Sequence, residues 1–333
     1  MLVPVYALNK NYSTTMKTKI VLFLATTLFF VAIFSACKKD NNDSKNDEST
    51  EVAVQSDDQS RFSTEIDAVA SDADFSIENS GTFTGRLMQA QSDTICSGTV
   101  SYDLVNKKIT ITYDGSSCTG DRTRTGTVVL TMAPNTTWRT AGAYFTIQFQ
   151  NLKITRLSDN KSITINGTQT YTNVTGHLLV DLINPLSGVH SITHAITSDD
   201  MSITFDDGTQ RSWHIAKQRV YAASIVNNAV SGSVTISGTH TEGDVTNIAE
   251  WGTNRLGHEF TSSTVEPVVI RSDCNFRVTS GEIKHVLPHV TADATFGLDS
   301  SGNPTSCPGA GHYYFKIVFT GSGGNSITLI MPY

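Results

Sequence analysis

The sequence predicts an all-β, antiparallel fold, Thr-rich and sandwich-like or built as a curled sheet. Three observations predict it. Apolar and polar residues alternate with period two in stretch after stretch, Asp-Gly, Asn-Gly and Ser-Gly pairs punctuate those stretches, and few segments keep a helical period.

The first element is short and apolar. Lys17 and Lys19 precede a run from Ile20 to Ala36, and Cys37 follows with Lys38, Lys39 and Asp40 behind it. The run falls short of the roughly 20 residues of a spanning helix. Its basic front, apolar middle and small residues Ser35 and Ala36 make it a secretory signal, with Met16 the more natural start. The tripeptide Phe34-Ser35-Ala36 before Cys37 resembles the lipobox of bacterial lipoproteins. That resemblance implies removal of residues 1–36, acylation of Cys37 and a protein held outside the cytoplasm by lipid.

Residues 37–80 are expected to be a flexible polar tether. Residues 38–80 carry twelve acidic side chains against four basic ones, with few large apolar groups to repay the entropy of ordering. A short helix over 61–71, using Phe62, Ile66, Val69 and Ala70, is the weaker reading. The acidic and amide residues behind the cysteine resemble the export signal of Bacteroidetes-type lipoproteins. Together with Lys38 directly after the cysteine, this implies the outer membrane and its outer face, the periplasmic face being the alternative.

Charge and cysteines bound the partners. The formal charge is −7, and loss of Lys10, Lys17 and Lys19 with the signal takes it to −10. Residues 38–80 supply −8 of this, so the remaining 253 residues are nearly neutral. Such a body has no basic face for a phosphate backbone, and nucleic acid is not an expected partner. With Cys37 committed to lipid, Cys96, Cys118, Cys274 and Cys307 remain, an even number for an oxidising compartment. Three pairings are open. Cys96 with Cys118 and Cys274 with Cys307 is favoured, because each pair brackets a short block of strands; four separate thiols is the other reading.

From Thr82 onward strands dominate. Alternation marks 108–113, 144–150, 161–165, 201–205, 230–236 and 314–320, with Ile, Val and Phe on one face and Thr, Ser and Lys on the other. Hairpin-type turns are expected at Asp114-Gly115, Asn166-Gly167, Asp207-Gly208 and Ser231-Gly232. His214 to Ala223 reads as a strand in spite of a weak helical period, and Ser326 to Tyr333 as a closing strand. Fourteen to eighteen strands are expected. The order of features in 97–131 is echoed in 280–320, which suggests two related β units, 81–185 and 186–333, or one continuous domain made of both. The tether, the 112–126 stretch and the closing cysteine block are together similar to a group of Bacteroidetes-type surface lipoproteins with a large all-β domain. That resemblance carries no activity and transfers no functional residue.

Chemistry is sparse. His190 with His194, and His285 with His289, lie four apart; strand positions four apart are about 13 Å from each other, so neither pair chelates zinc alone. Asp199, Asp200, Asp206 and Asp207 lack the loop pattern of a calcium site and read as turn residues. Arg122 and Arg124, beside Asp121, are expected in a solvated loop after Cys118, paired with local acids or open to an anionic glycan. Trp138, Trp213 and Trp251 read as core residues before sugar-stacking ones. No catalytic constellation, metal or cofactor is expected. The function that remains is a lipid-anchored envelope protein that binds a glycan or a surface protein, or has a structural role. A polysaccharide hydrolase and an envelope-assembly component are the alternatives.

Overall fold

A computed structural model describes residues 43–85, 94–95, 97–117, 120–198, 200–226, 229–307 and 312–332. The segment expected to be a signal peptide, Cys37, Cys96, Cys118 and Asp199 lie outside the described residues. The strands are β1 (Thr94–Ile95), β2 (Gly98–Asp103), β3 (Lys108–Asp114), β4 (Arg122–Met132), β5 (Ala143–Arg156), β6 (Ser162–Asn173), β7 (Ser191–Ser198), β8 (Ser202–Phe205), β9 (Gln210–Val226), β10 (Ala229–Gly238), β11 (His240–Glu242), β12 (Val245–Thr253), β13 (Glu259–Arg271), β14 (Arg277–Leu287), β15 (Val290–Leu298), β16 (Tyr314–Gly321) and β17 (Ser326–Pro332). All seventeen belong to one sheet, and every pairing in it is antiparallel. The expected fold class is therefore present.

The sheet is a meander with two split positions. Strands β1 to β6 pair in sequence, and β6 then divides its length between β7 and β8. Strand β9 pairs with both of these on one side and with β10 and β12 on the other. Strand β13 closes over β10 and β12, and β14 to β17 follow in order.

The alternation seen in the sequence works until a crease interrupts it. In β5 the buried residues are Ala143, Phe145, Ile147 and Phe149, then Leu152 and Ile154, so the phase shifts between 149 and 152. Asn151 takes φ 52° there. On one side stands Gly126, at φ 110°, where a Cβ would lie 2.2 Å from the Asn151 carbonyl oxygen. On the other stands Gly167, at φ 118°, where a Cβ would lie 2.5 Å from the Asp200 carbonyl oxygen. Both approaches need glycine. Bulged positions thus line up across neighbouring strands, and bulges bend and twist a sheet. Asn166-Gly167 is consequently part of this crease within β6 and not a hairpin, and Ser231-Gly232 lies inside β10. Asp114-Gly115 and Asp207-Gly208 do close turns, with both glycines at positive φ.

The expected tether is corrected. Residues Asp43–Glu78 form one 36-residue helix, α1, and Gly81–Thr84 a single further turn, α2. Phe62, Ile66, Val69, Ala70, Ala73 and Ile77 are buried in the main core. They recur at the three-to-four-residue spacing of a helical stripe. Polar residues flank that stripe, and they too are covered: Asp58, Glu65 and Asp74 are all buried. The physical reason is that the acidic side chains need not stay in water, since the sheet supplies their counter-charges.

Of the two expected arrangements, two β units or one continuous domain, the pairing pattern favours the continuous one. Strand β6 pairs directly with β7 and β8, so hydrogen bonding runs through the expected boundary. The echoed segments do share a form, since β2–β3–β4 and β14–β15–β16 are each three-stranded meanders.

Candidate functional site

Helix α1 runs along the concave face of the sheet, and its acids grip it on both flanks. Glu65 and Asp72, two helical turns apart, face β3 and β4: Glu65 pairs with Arg122 at 2.5 Å and Arg124 at 2.7 Å, and Asp72 accepts from the Tyr113 hydroxyl at 2.9 Å. Asp67 and Asp74, also two turns apart, face β6, β7 and β9. Asp67 pairs with Arg219. Asp74 accepts from the Tyr171 hydroxyl at 3.0 Å and the Tyr221 hydroxyl at 3.1 Å, with His194 Nδ1 at 3.7 Å. Further toward the helix N-terminus, Asp57 bonds Arg156 at 2.5 Å and Asp58 bonds Arg255 through two 2.8 Å contacts.

A second buried node sits on β12. Glu250 accepts from the Ser63 hydroxyl at 2.7 Å and from the Trp213 indole at 3.1 Å, and also from Gln59 and Lys217. Burial opposes the charge on Lys217, but Glu250 and Asp67 outweigh it and hold its pKa above the ordinary lysine value. Around Asp74, burial pushes both tyrosine hydroxyls far up and His194 down, so all three are neutral at pH 7. Burial raises Asp72 to about 6, against the pull of Arg124 and Tyr113. This interior is a charge-matched seat for the chain's own helix, with its carboxylates turned toward cations and hydroxyls of the same chain.

The residues singled out in the sequence are mostly kept apart. His194 is buried beside Trp138, Tyr171 and Tyr221, whereas His190 is exposed before β7. His285 is buried against Phe260, and His289 sits in the following turn. Among the described residues no group of three or more His, Cys, Asp or Glu side chains is placed to hold a metal ion. Asp200 accepts the Thr168 amide at 2.9 Å, and Asp207 accepts the amide and hydroxyl of Thr209, as turn acids do. Arg122 and Arg124 open β4 and do not lie in a solvated loop: Arg124 is buried and Arg122 mostly covered against Glu65, because the helix brings an acid to them, while Arg122 keeps the expected local pair with Asp121 at 3.0 Å. Cys274 and Cys307 are bonded, and Cys96 and Cys118 lie outside the described residues. Trp138 and Trp213 are in the core.

The remaining tryptophan forms an outward feature. Trp251 lies half-buried between His240 at 4.1 Å and His214 at 5.3 Å, all three rings nearly parallel across β11, β12 and β9. The two imidazoles cover the faces of the indole, so Trp251 itself is not an open stacking platform.

The two rims of the sheet differ. Helix α1 meets, through its residues 51–65, the start of β4 (Glu65), the end of β5 and the β5–β6 turn (Asp57 and Arg61) and the β12–β13 turn (Asp58 and Glu51), and Arg255 of that last turn pairs with Asp206 of the β8–β9 turn. Its C-terminal end meets the opposite rim, where Glu78 accepts the Leu179 amide at 2.8 Å and Trp138 donates its amide to Phe83. On that second rim the β2–β3, β4–β5 and β6–β7 connections are tied together by Lys107 bonding the Thr136 carbonyl and by Arg139 pairing with Asp181 at 3.1 Å. Those connections expose Leu104, Val105, Val174, Ile183 and Leu186, with Val105 at 86% and Leu186 at 94%. Comparison with protein-family models, with curated proteins and with solved structures gives no match.

Proposed function

We propose that this chain is a lipid-anchored cell-envelope protein, acylated at Cys37 in the outer membrane, with a non-enzymatic role of binding another protein. The observation that carries the binding role is the rim of exposed Leu104, Val105, Val174, Ile183 and Leu186. Contiguous exposed apolar groups mark interaction surfaces, since water penalises leaving them bare. Two further features support it over the alternatives. The buried carboxylates Asp58, Glu65, Asp74 and Glu250 are engaged with groups of the same chain, which disfavours a hydrolase built on them. The faces of Trp251 are covered by His214 and His240, which disfavours a sugar platform on that indole.

The lipid follows from Lys17 to Cys37 and from the lipobox resemblance. The test has two arms. Mass spectrometry of the N-terminal peptide is expected to find acyl chains on Cys37 and none in Cys37→Ala. Chemical cross-linking on whole cells is expected to give one discrete adduct for the native chain and to lose it in Val105→Asp with Leu186→Asp. An unmodified Cys37 would refute the anchor, and an adduct indifferent to both rim substitutions would refute the binding surface.

A further inference from the structure

The position of α1 fixes which way the body faces, given the anchor on Cys37 proposed above, on which this inference rests. Only residues 38–42 separate Cys37 from the first residue of the helix. Six Cα steps reach at most about 20 Å, so the slack that a 40-residue tether would give is absent. The helix then rises about 1.5 Å per residue, and Glu51 already touches the rim: it accepts from Asn254 at 2.6 Å and contacts His258 Nδ1 at 2.6 Å. From Asp43 to Glu51 the axis therefore advances only about 12 Å. The β12–β13 turn is thus within roughly 30 Å of the acylated cysteine. The opposite rim lies about 40 Å farther along the axis, where Glu78 meets Leu179.

We propose that the rim of turns β3–β4, β5–β6, β8–β9 and β12–β13 faces the lipid headgroups, and that the apolar rim is held away from them. On the first rim Arg156 faces Asp57 and Asp159, Arg255 faces Asp58, Asp206 and Asp207, and Glu51 lies beside His258, while Lys161 is exposed and Leu157 and Leu256 stand out of the turns. Carboxylates outnumber cations there, so the short link to Cys37, and not charge attraction, holds this rim toward the headgroups. The apolar side chains of the other rim, Leu104 and Leu186 among them, are consequently presented to whatever lies in front of the membrane.

The test is energy transfer in vesicles carrying the lipidated full chain and a headgroup dye. Donor dyes are attached at Leu256→Cys or Leu157→Cys on one rim and at Leu186→Cys or Val105→Cys on the other, in a background with Cys96→Ser and Cys118→Ser. All four labelled positions are exposed, so folding is not at stake, and circular dichroism checks the background. Transfer is expected to be at least about twofold higher for the first pair, and a 20-residue Gly-Ser insertion after Lys39 is expected to erase the difference. Equal transfer at the two rims, or the reverse order, with acyl chains verified on Cys37 by mass, would overturn the orientation and leave the anchor standing. Absence of acyl mass would remove the anchor and the orientation together.

Discussion

Glu250 shows what single residues do in this interior. It is 1% exposed and takes hydrogen bonds from four side chains, one of them the buried Lys217. Replacing Glu250 with Ala leaves that ammonium without its partner in a desolvated place. The expected loss is about 3–5 kcal/mol, read from denaturant unfolding. A loss below about 1 kcal/mol would mean that water reaches Lys217.

Two other residues set opposing pH dependences. Burial lowers His285 to about 4, below its unfolded value, so the unfolded chain binds more protons between about 4 and 6.5 and stability falls as pH drops through that window. Burial raises Asp72 to about 6, so the folded chain binds more protons between about 4 and 6 and stability falls as pH rises through that window. His285→Leu is expected to abolish the acid-side loss, worth up to about 3 kcal/mol at pH 4. Asp72→Asn is expected to gain about 1–2 kcal/mol at pH 7 and nothing at pH 4, since the amide can still accept from Tyr113. Stability curves at pH 4 and pH 7 for both variants check the signs. His285 was legible as a residue of interest but not as a buried one, because a strand histidine faces core or solvent according to register alone.

The helix is the element whose nature the sequence concealed. Its stripe of Phe62, Ile66, Val69, Ala70, Ala73 and Ile77 was partly visible, yet isolated apolar residues in an acidic segment do not pay for order by themselves. Order comes from the sheet, which offers Arg122, Arg124, Arg156, Arg219 and Arg255 at the matching heights. A usable signal existed in the pairs Glu65/Asp72 and Asp67/Asp74, spaced seven apart on two sides of one apolar stripe. Phe62 stacks on Trp213 with centroids 4.6 Å apart, and Phe62→Ala is expected to cost about 3–5 kcal/mol by urea unfolding. A chain lacking 43–78 is expected to be recovered as aggregate, and a synthetic 43–78 peptide added during refolding to restore a soluble complex on gel filtration. A soluble, folded sheet without the peptide would show that the helix is a passenger and not part of the core.

For the whole molecule, the sheet has no seam. Hydrogen bonds cross from β6 to β7 and β8, and one cluster of buried residues spans the helix and strands from β1 to β14. A single cooperative heat-absorption peak is therefore expected in calorimetry of the mature chain, with calorimetric and van't Hoff enthalpies equal. Two resolved peaks, one assignable to residues 186–333, would restore the two-unit reading.

The sequence by itself determined the local part of this protein. Period-two alternation marked β3, β5, β6, β8, β10 and β16, the closing segment marked β17, glycine-containing turns marked Asp114-Gly115 and Asp207-Gly208, and Trp138 and Trp213, though not Trp251, were rightly weighted toward the core, because each of these signals is written in residues close along the chain. Only the tertiary structure decided that the acidic segment is a buried helix, that Arg122 and Arg124 are its clasp, and that Asn166-Gly167 creases a strand. The reason is physical. A carboxylate's preference for water or interior depends on whether a cation awaits it, and here the cations are 59 residues away for Arg124 and 197 for Arg255. A fold whose core helix is held by long-range charge pairs hides that helix from any reading of neighbours.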